Sequence, residues 1–203
     1  MRIHWKQLVL TMALGPALLP ACAQTAGIDA ALLAKANGGD AASQVLVGES
    51  YAGGKGVVQD LKQAAEWYRK AADKGDVGGE VHLAALYRDG GKGFPRDRTQ
   101  AAAWYRRAAE QGDVGAQGTL GLLYSIGQGI PHSDVEAYYW LDLAAAAKGP
   151  EQAHYAANRQ MIGTHITADE LADVQERVAK WLATRGPALP SNLLSGRAIE
   201  PLC

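Results

Sequence analysis

Residues 54–75 read GKGVVQDLKQAAEWYRKAADKG, and variants of this stretch return twice further along the chain. The second is GKGFPRDRTQAAAWYRRAAEQG at 91–112, and the third is GQGIPHSDVEAYYWLDLAAAAK at 127–148. Their spacing of 36 or 37 residues is typical of solenoid proteins, in which each repeat buries its apolar face by stacking on a neighbour. The sequence therefore predicts a stack of three units.

Each unit predicts a helix, a turn and a second helix. Apolar and small residues return every three to four positions in the expected first helices, at about 41–52, 77–89 and 114–126. Glycines then supply the positive φ angles that end a helix and reverse the chain. The second helices begin at capping-box patterns, in which an N-cap oxygen accepts from a free backbone N–H and a Gln or Glu three residues later bonds back to the N–H of the N-cap. Their N-cap residues are Asp60, Asp97 and Ser133.

A tryptophan followed by two alanines recurs in every second helix. The tryptophans are Trp67, Trp104 and Trp140, and the paired alanines lie four and five positions after each. At this spacing the indole and the alanines share one face of the helix. Because this face returns with the repeat period, we expect the tryptophans in the core rather than in a ligand cage.

The third unit contains one of the fullest versions of the pattern. It reads Ala116-Gln117-x-x-Leu120-Gly121-x-Leu123-Tyr124, then Gly127-x-Gly129-Ile130, and then Ala137-x-x-Trp140. This pattern resembles the Sel-one-like repeat (SLR), a branch of the tetratricopeptide-like α/α solenoids. The resemblance covers residues 39–149 as three repeats, 39–75, 76–112 and 113–149. It implies an all-α fold, a short right-handed α/α solenoid whose first helices line a concave surface.

The segments on either side of the repeats carry weaker patterns. Residues 24–38 predict a short lead-in helix at best. Residues 150–185 predict a degenerate repeat and then a capping helix that opens at Thr167-x-x-Glu170 and covers the open face of the last repeat. The apolar stripe of that helix consists of Leu171, Val174, Val178 and Trp181. Residues 186–203 contain three prolines and predict an extended tail.

Residues 1–23 predict an export signal. A basic beginning is followed by a 12-residue apolar stretch that is too short to span a bilayer comfortably. Cleavage after Ala21-Cys22-Ala23 would leave Gln24 as the first residue of an exported, periplasmic protein. Leu19-Pro20-Ala21-Cys22 also resembles a lipobox, with an atypical proline, in which Cys22 becomes the acylated first residue. An uncleaved anchor is the third alternative, and we expect no membrane span in the rest of the chain.

The composition argues against several classes of function. Lys and Arg number 20 against 21 Asp and Glu, a net charge of -1, so we expect no nucleic-acid partner. The Gly-Gly-Lys-Gly turns lack the Ser or Thr that follows the lysine of a phosphate-binding loop. The histidines are dispersed over different units and no cysteine cluster is present, so we expect no metal and no other cofactor. We find no acid–base pair and expect no enzyme, with an envelope enzyme as the less favoured alternative.

Charge is unevenly distributed along the chain. Residues 55–107 contain eleven Lys and Arg against seven Asp and Glu, a net charge of +4, whereas residues 108–183 contain four against ten, a net charge of -6. The solenoid should therefore be electrically polarised along its length. Such a field can steer the approach of a partner, or it can be a solvated distribution without a role.

The resemblance implies that the chain binds other proteins, because SLR proteins typically serve as adaptors or regulators. We therefore expect a protein–protein interaction module of the bacterial cell envelope, with a protein or peptide partner. The alternative is a membrane-anchored lipoprotein that supports a secretion or polysaccharide complex. The expected contacts are first-helix positions that differ between repeats and a neighbouring recurrent polar column. The differing positions are Leu46, Glu49, His82, Ala85, Thr119 and Leu122, and the column is Gln44, Glu80 and Gln117.

Overall fold

The computed structural model describes residues 27–185, where the regular elements are helices apart from one isolated bridge between Gly91 and Phe94. The helices are α1 (Ala30–Asn37), α2 (Ala41–Gly53), α3 (Leu61–Ala72), α4 (Val77–Asp89), α5 (Arg98–Glu110), α6 (Val114–Ile126), α7 (Asp134–Ala146), α8 (Gln152–Ile162) and α9 (Ala168–Arg185). The predicted export signal, with Cys22, and the predicted tail lie outside the described residues. None of the described helices combines the length and apolar character needed to cross a membrane.

Six of the helices form three hairpins, one in each predicted repeat. The hairpins pair α2 with α3, α4 with α5, and α6 with α7. Each second helix also packs on the first helix of the next unit, so the hairpins stack continuously. The first helices begin and end within one residue of their expected positions. The prediction of an all-α helical repeat solenoid is confirmed.

The core contains the recurring tryptophans and alanines, as predicted. Trp67, Trp104 and Trp140 each expose only 7% of their surface, and the alanine pairs that follow them are buried. Small residues also allow the two helices of a hairpin to approach closely. A Cβ added to Gly121 would lie 2.7 Å from Leu141 Cγ. A larger side chain at this position would push α6 and α7 apart, because the interior is close-packed.

The N-caps of the second helices make only one half of the predicted capping box. Their side-chain oxygens accept a bond from the backbone N–H three residues later. The backbone N–H of each N-cap donates at 2.8 to 3.1 Å to the carbonyl of a tyrosine in the preceding first helix. These pairs are Asp60–Tyr51, Asp97–Tyr87 and Ser133–Tyr124. The reciprocal side-chain bond was predicted wrongly, because its donor already has a partner in the hairpin.

The lead-in helix α1 occupies the place of a second helix. In the third repeat, Gln117 Nε2 donates to the carbonyl of Ala109 near the end of α5, over 3.2 Å. Gln44 Nε2 makes the equivalent bond to the carbonyl of Ala36 in α1, over 3.0 Å. Within residues 27–185 the stack therefore begins with half a repeat, and α1 packs on α2 as α5 packs on α6.

Helix α8 follows the third repeat as a first-type helix. It packs on α7, and Arg159 of α8 forms an ion pair with Asp142 of α7. Tyr155 of α8 is buried against Gly118 of α6. Helix α8 therefore takes the position at the end of the stack that we expected the capping helix to take.

Helix α9 lies across α7 rather than in a hairpin with α8. Val174 and Val178 are buried in one apolar cluster with Tyr139 and Leu143 of α7. Helix α9 therefore packs on the last repeat, but not on the open end of the stack that we expected it to cover. This helix covers the side of α7 that corresponds to the solvent-exposed side of α3 and α5, which we call the outer side.

The sequence of α7 explains where α9 packs. Tyr139 and Leu143 occupy the repeat positions of Glu66 and Lys70, which are exposed on α3. The outer side of α7 is therefore apolar, and an apolar helix face needs a partner. Arg177 of α9 adds a cation over the Tyr139 ring, 4.3 Å from its centroid.

Removal of residues 165–203 should destabilise the chain and promote self-association. Burial of a valine side chain contributes about 1.5 to 3 kcal/mol, so the loss of Val174 and Val178 should lower the free energy of unfolding by about 3 to 6 kcal/mol. The uncovered outer side of α7 would form an exposed apolar patch. Urea unfolding measures the first effect, and light scattering measures the second.

A chain that ends at Arg185 retains α9 and is the matched control. In the shorter chain, Tyr139→Glu with Leu143→Lys introduces the first repeat's residues and should restore a monomer. A chain without residues 165–203 that stayed monomeric and equally stable would show that α9 is not a packing element.

Candidate protein-interaction surface

The first helices of the three repeats share one accessible face, which we call the first-helix face. Two positions, three residues apart in each helix, lie on it and differ from repeat to repeat. Leu46 exposes 49% of its surface, and the other five residues are half-buried. The six residues are Leu46 and Glu49 in α2, His82 and Ala85 in α4, and Thr119 and Leu122 in α6. The structure therefore leaves all six predicted positions accessible to a partner.

The polar column does not belong to this face. Gln44, Glu80 and Gln117 expose 4%, 0% and 0% of their surfaces. Their side chains point into the stack, where the two glutamines bond to carbonyls of the preceding helices. The prediction that these three residues contact a partner is corrected, because buried side chains that join adjacent helices cannot meet one.

Glu80 replaces the glutamine of the column in the second repeat and has a different set of partners. A carboxylate cannot donate to the carbonyl of Ala72, which is the equivalent acceptor in α3. Arg107 Nη2 donates to that carbonyl over 3.2 Å and lies 3.0 Å from Glu80 Oε1. Gln111 Nε2 donates to Glu80 Oε2 over 2.7 Å. Burial raises the pKa of Glu80, and the attraction of Arg107 offsets only part of this rise.

The substitution Glu80→Gln should stabilise the protein at neutral pH by about 1 kcal/mol, because it removes a buried charge and introduces the residue of the other repeats. The pKa of Glu80 is higher in the folded protein than its ordinary value of 4.5. The folded state therefore holds the proton more tightly, and the parent loses stability as the pH rises from 4.5 through the folded pKa. The gain from the substitution should be largest above that pKa and smallest in acid.

Urea unfolding at about pH 4, below the ordinary pKa of a glutamate, and at about pH 8 measures this difference. Glu110→Gln is the matched control, because it removes an exposed carboxylate at the end of α5. It should change stability by less than about 0.5 kcal/mol. If Glu80→Gln were less stable than the parent at the higher pH, the pairing with Arg107 would outweigh the cost of burial.

A first cleft of about 430 Å³ lies where the turn of the first repeat meets α4. Tyr68 and His82 line it and stack with their ring centroids 5.0 Å apart. His82 Nε2 is 3.3 Å from Glu49 Oε1. Burial, and secondarily the charge of Glu49, raise the pKa of Tyr68. The Tyr68 hydroxyl therefore stays protonated at neutral pH and can donate a hydrogen bond.

A second cleft of about 220 Å³ occupies the equivalent place between the turn of the third repeat and α8. Leu122 and Met161 give it apolar walls, and Met161 exposes 65% of its surface. Asp134 lies between two histidines that line the same cleft. Its Oδ1 is 3.3 Å from His132 Nε2, and its Oδ2 is 3.7 Å from His165 Nδ1. The cleft can accept an apolar side chain beside a polar or charged group.

Sequence reasoning missed the cleft residues that the turns and second helices contribute. The missed residues are Tyr68, His132, Asp134 and His165. The sequence aligns His132 and Asp134 with Gln59 and Leu61, but only the structure shows that these repeat positions line a cleft. Histidines that are dispersed in sequence thus meet carboxylates in space. Among residues 27–185, no group of His, Cys, Asp and Glu side chains is arranged to hold a metal ion.

In the second repeat, the residue equivalent to a cleft-lining position of the first and third repeats is Arg88, which lies between the two clefts. It has the repeat position of Ala52 and Ser125, which each line one of them. Its guanidinium bonds to both carboxylate oxygens of Asp89 at 2.8 and 2.9 Å, and to the Tyr105 hydroxyl at 3.0 Å. The bonds from Arg88 lower the pKa of Asp89. The first-helix face therefore has two clefts with a paired arginine between them.

These features define a helical repeat solenoid in which the core recurs and one face varies. A profile of the Sel1 repeat family matches residues 41–76, 79–113 and 116–148, about half of the chain. The chain therefore belongs to the Sel1 repeat family, which confirms the resemblance seen in the sequence. Sel1 repeats generally mediate protein–protein interaction, and the family is typically non-catalytic.

Two solved structures are similar to the chain. A Sel1 repeat protein from Oxalobacter formigenes is 32% identical with a TM-score of 0.56, and the match covers 64% of this chain and 95% of that protein. A protective antigen present in uropathogenic Escherichia coli strains, which displays an SLR fold, is 20% identical with a TM-score of 0.42. That match covers 85% of this chain and 52% of the antigen. Among curated proteins, none matches the chain.

Proposed function

We propose that the chain is an adaptor or regulatory module of the bacterial cell envelope, and that it binds a protein or peptide through the first-helix face. The observation that carries this proposal is the contrast between core and surface. The tryptophans and alanines of the core recur, whereas the accessible positions of the first helices carry a different pair of residues in every repeat. A surface of constant geometry and varied chemistry suits the recognition of one particular partner.

The two clefts support a polypeptide as the partner. They occupy equivalent places two repeats apart, and each combines apolar walls with polar groups. The first offers the Tyr68 and His82 rings beside Glu49, and the second offers Leu122 and Met161 beside Asp134. An extended segment across the face can place one side chain in each cleft, which secures both its position and its direction.

The outer side of the solenoid is a weaker candidate for this role. Helix α9 covers it at the third repeat. At the first two repeats it presents Arg and Lys side chains that stack on the solenoid's own aromatic rings. Lys70 Nζ lies 3.8 Å from the centroid of the Trp67 ring, and the Arg107 guanidinium lies 4.5 Å from that of Trp104. These cations already contribute to the fold.

Photocrosslinking in cells should capture the partner from the first-helix face. Benzoylphenylalanine in place of Leu46, Ala85 or Leu122 should give crosslinked products that contain the same partner, because the three positions lie on successive first helices. Denaturing electrophoresis and mass spectrometry identify the products. The matched control sites are Glu66 and Ala103, which are exposed on the outer side.

The control sites should not capture that partner. Capture from Glu66 and Ala103 alone would move the interface to the outer side. A first-helix face that crosslinked to nothing, in cells where the chain is present at normal levels, would also contradict the proposal.

We propose further that the chain is exported and that the processed protein begins at Gln24 in the periplasm. The support is the residue pattern of positions 1–23. The alternative is a lipoprotein, acylated at Cys22, that supports a secretion or polysaccharide complex at the membrane. The intact mass of the protein isolated from the envelope distinguishes them. An unmodified chain from Gln24 supports the proposal, a diacylglyceryl group on Cys22 establishes the lipoprotein, and a chain that retains residues 1–23 contradicts both.

A further inference from the structure

We infer that the partner is acidic in the segment that crosses the second repeat, where it meets Arg96 and Arg98. The inference rests on the proposed function, because it concerns a polypeptide bound across the first-helix face. It adds the chemical class of the partner, which the family does not specify.

Three equivalent positions in each repeat carry the first observation. In the first and third repeats these positions line the two clefts. Their residues are Ala52, Gln59 and Leu61 in the first repeat, and Ser125, His132 and Asp134 in the third. In the second repeat all three are arginines, namely Arg88, Arg96 and Arg98. Positive charge is therefore concentrated at the second repeat, in the middle of the surface. The equivalent residues are neutral in the first repeat and include the carboxylate of Asp134 in the third.

The charges of Arg96 and Arg98 are available to a partner. Arg88 already has a carboxylate, since Asp89 pairs with it through both oxygens. Arg96 and Arg98 are exposed, and within residues 27–185 neither guanidinium has a carboxylate within 4.0 Å. Asp97 lies between them in sequence, but its side chain is engaged as the N-cap of α5 and accepts from the Gln100 N–H over 3.0 Å.

Lys92 extends the positive region toward the first cleft. Its side chain is exposed and lines that cleft, in the turn that precedes Arg96. Arg96 is itself held near this turn, because its Nε donates to the carbonyl of Asp89 over 3.3 Å. The second repeat thus places four positive charges here, on Arg88, Lys92, Arg96 and Arg98, against the two carboxylates of Asp89 and Asp97, so the middle of the surface attracts anions.

The distribution of charge favours a short acidic stretch over a long polyanion. Residues 108–183 carry a net charge of -6, and Asp134 lines the next cleft beyond the arginines. A nucleic acid or an anionic membrane that reached Arg96 would also meet this negative region and be repelled. A polypeptide avoids the conflict, because its acidic residues can face the second repeat while neutral or basic residues face the third.

The test uses the full chain and three fluorescein-labelled dodecapeptides. The peptides share leucine-containing ends and differ only in four central residues, which are all Glu, all Gln or all Lys. The Glu peptide should bind about tenfold more tightly than the Gln peptide, and the Lys peptide should bind most weakly. The advantage should shrink as NaCl rises from about 0.05 to about 0.5 M, because salt screens exposed charges. Fluorescence polarisation measures all three affinities.

A pair of charge-reversed variants locates the effect. Arg96→Glu with Arg98→Glu should weaken binding of the Glu peptide about tenfold and leave binding of the Gln peptide within about twofold, because only the first depends on charge attraction. Lys148→Glu with Lys180→Glu is the matched control, since it changes the net charge equally at exposed positions outside the clefts. It should leave binding of the Glu peptide within about twofold. Circular dichroism verifies that both variants are folded.

Several outcomes would overturn the inference. The first two are equal binding of the Glu and Lys peptides and no binding of the Glu peptide. The third is an equal loss of affinity for the Glu peptide in both double variants. The fourth is tighter binding of duplex DNA or of phosphatidylglycerol vesicles than of the Glu peptide. The proposed function is tested separately by crosslinking. The crosslinking at Ala85 can capture a partner whose binding is unaffected by Arg96→Glu with Arg98→Glu. That result would support the first-helix face as the interface and contradict the inference that the partner is acidic at the second repeat.

Discussion

The solenoid depends on the close contact between the alanine pair of each second helix and the first helix that follows. A Cβ added to Gly79 of α4 would lie 2.8 Å from the Cβ of Ala71 and 2.8 Å from the backbone nitrogen of Ala72. Helices can approach this closely only where both contribute small residues, and dispersion then acts across a large area of contact. The alanine pair recurs in the second helix of every repeat and is buried there, so the tryptophans and turns return to equivalent positions.

A recurring core has different consequences for residue changes inside and outside the stack. Inside, the change from glutamine to Glu80 requires Arg107 to supply a donor to Ala72 and Gln111 to supply a donor to the carboxylate. On the surface, Glu49 and Ala85 occupy equivalent positions with no compensating change in the core. The first-helix face can therefore acquire a chemistry suited to its partner without a change in the interior, where the neighbours of a buried polar residue must supply its hydrogen-bond partners.

The ends of the described stack show how a short solenoid covers its exposed surfaces. Helix α1 packs on α2 as a second helix would, and α8 packs on α7 as a first helix would. Helix α9 then covers the apolar outer side of α7, so it is used for packing rather than for recognition. The first-helix face remains accessible in all three repeats. This arrangement is why the proposed function and the acidic segment of the partner are both assigned to that face.

The amino-acid sequence alone determined the repeat helices, their N-caps and the recurring tryptophans and alanines of the core. These features depend on the helical period and on contacts between residues three or four positions apart, and three repeats display them three times over. Only the tertiary structure decided that Glu80 is buried, that α9 crosses α7, and that Asp134 meets His165. The last two depend on contacts between residues far apart in the chain. A polar column that recurs with the repeat period is also equally compatible with a surface and with a buried network, because burial depends on the residues that pack against it.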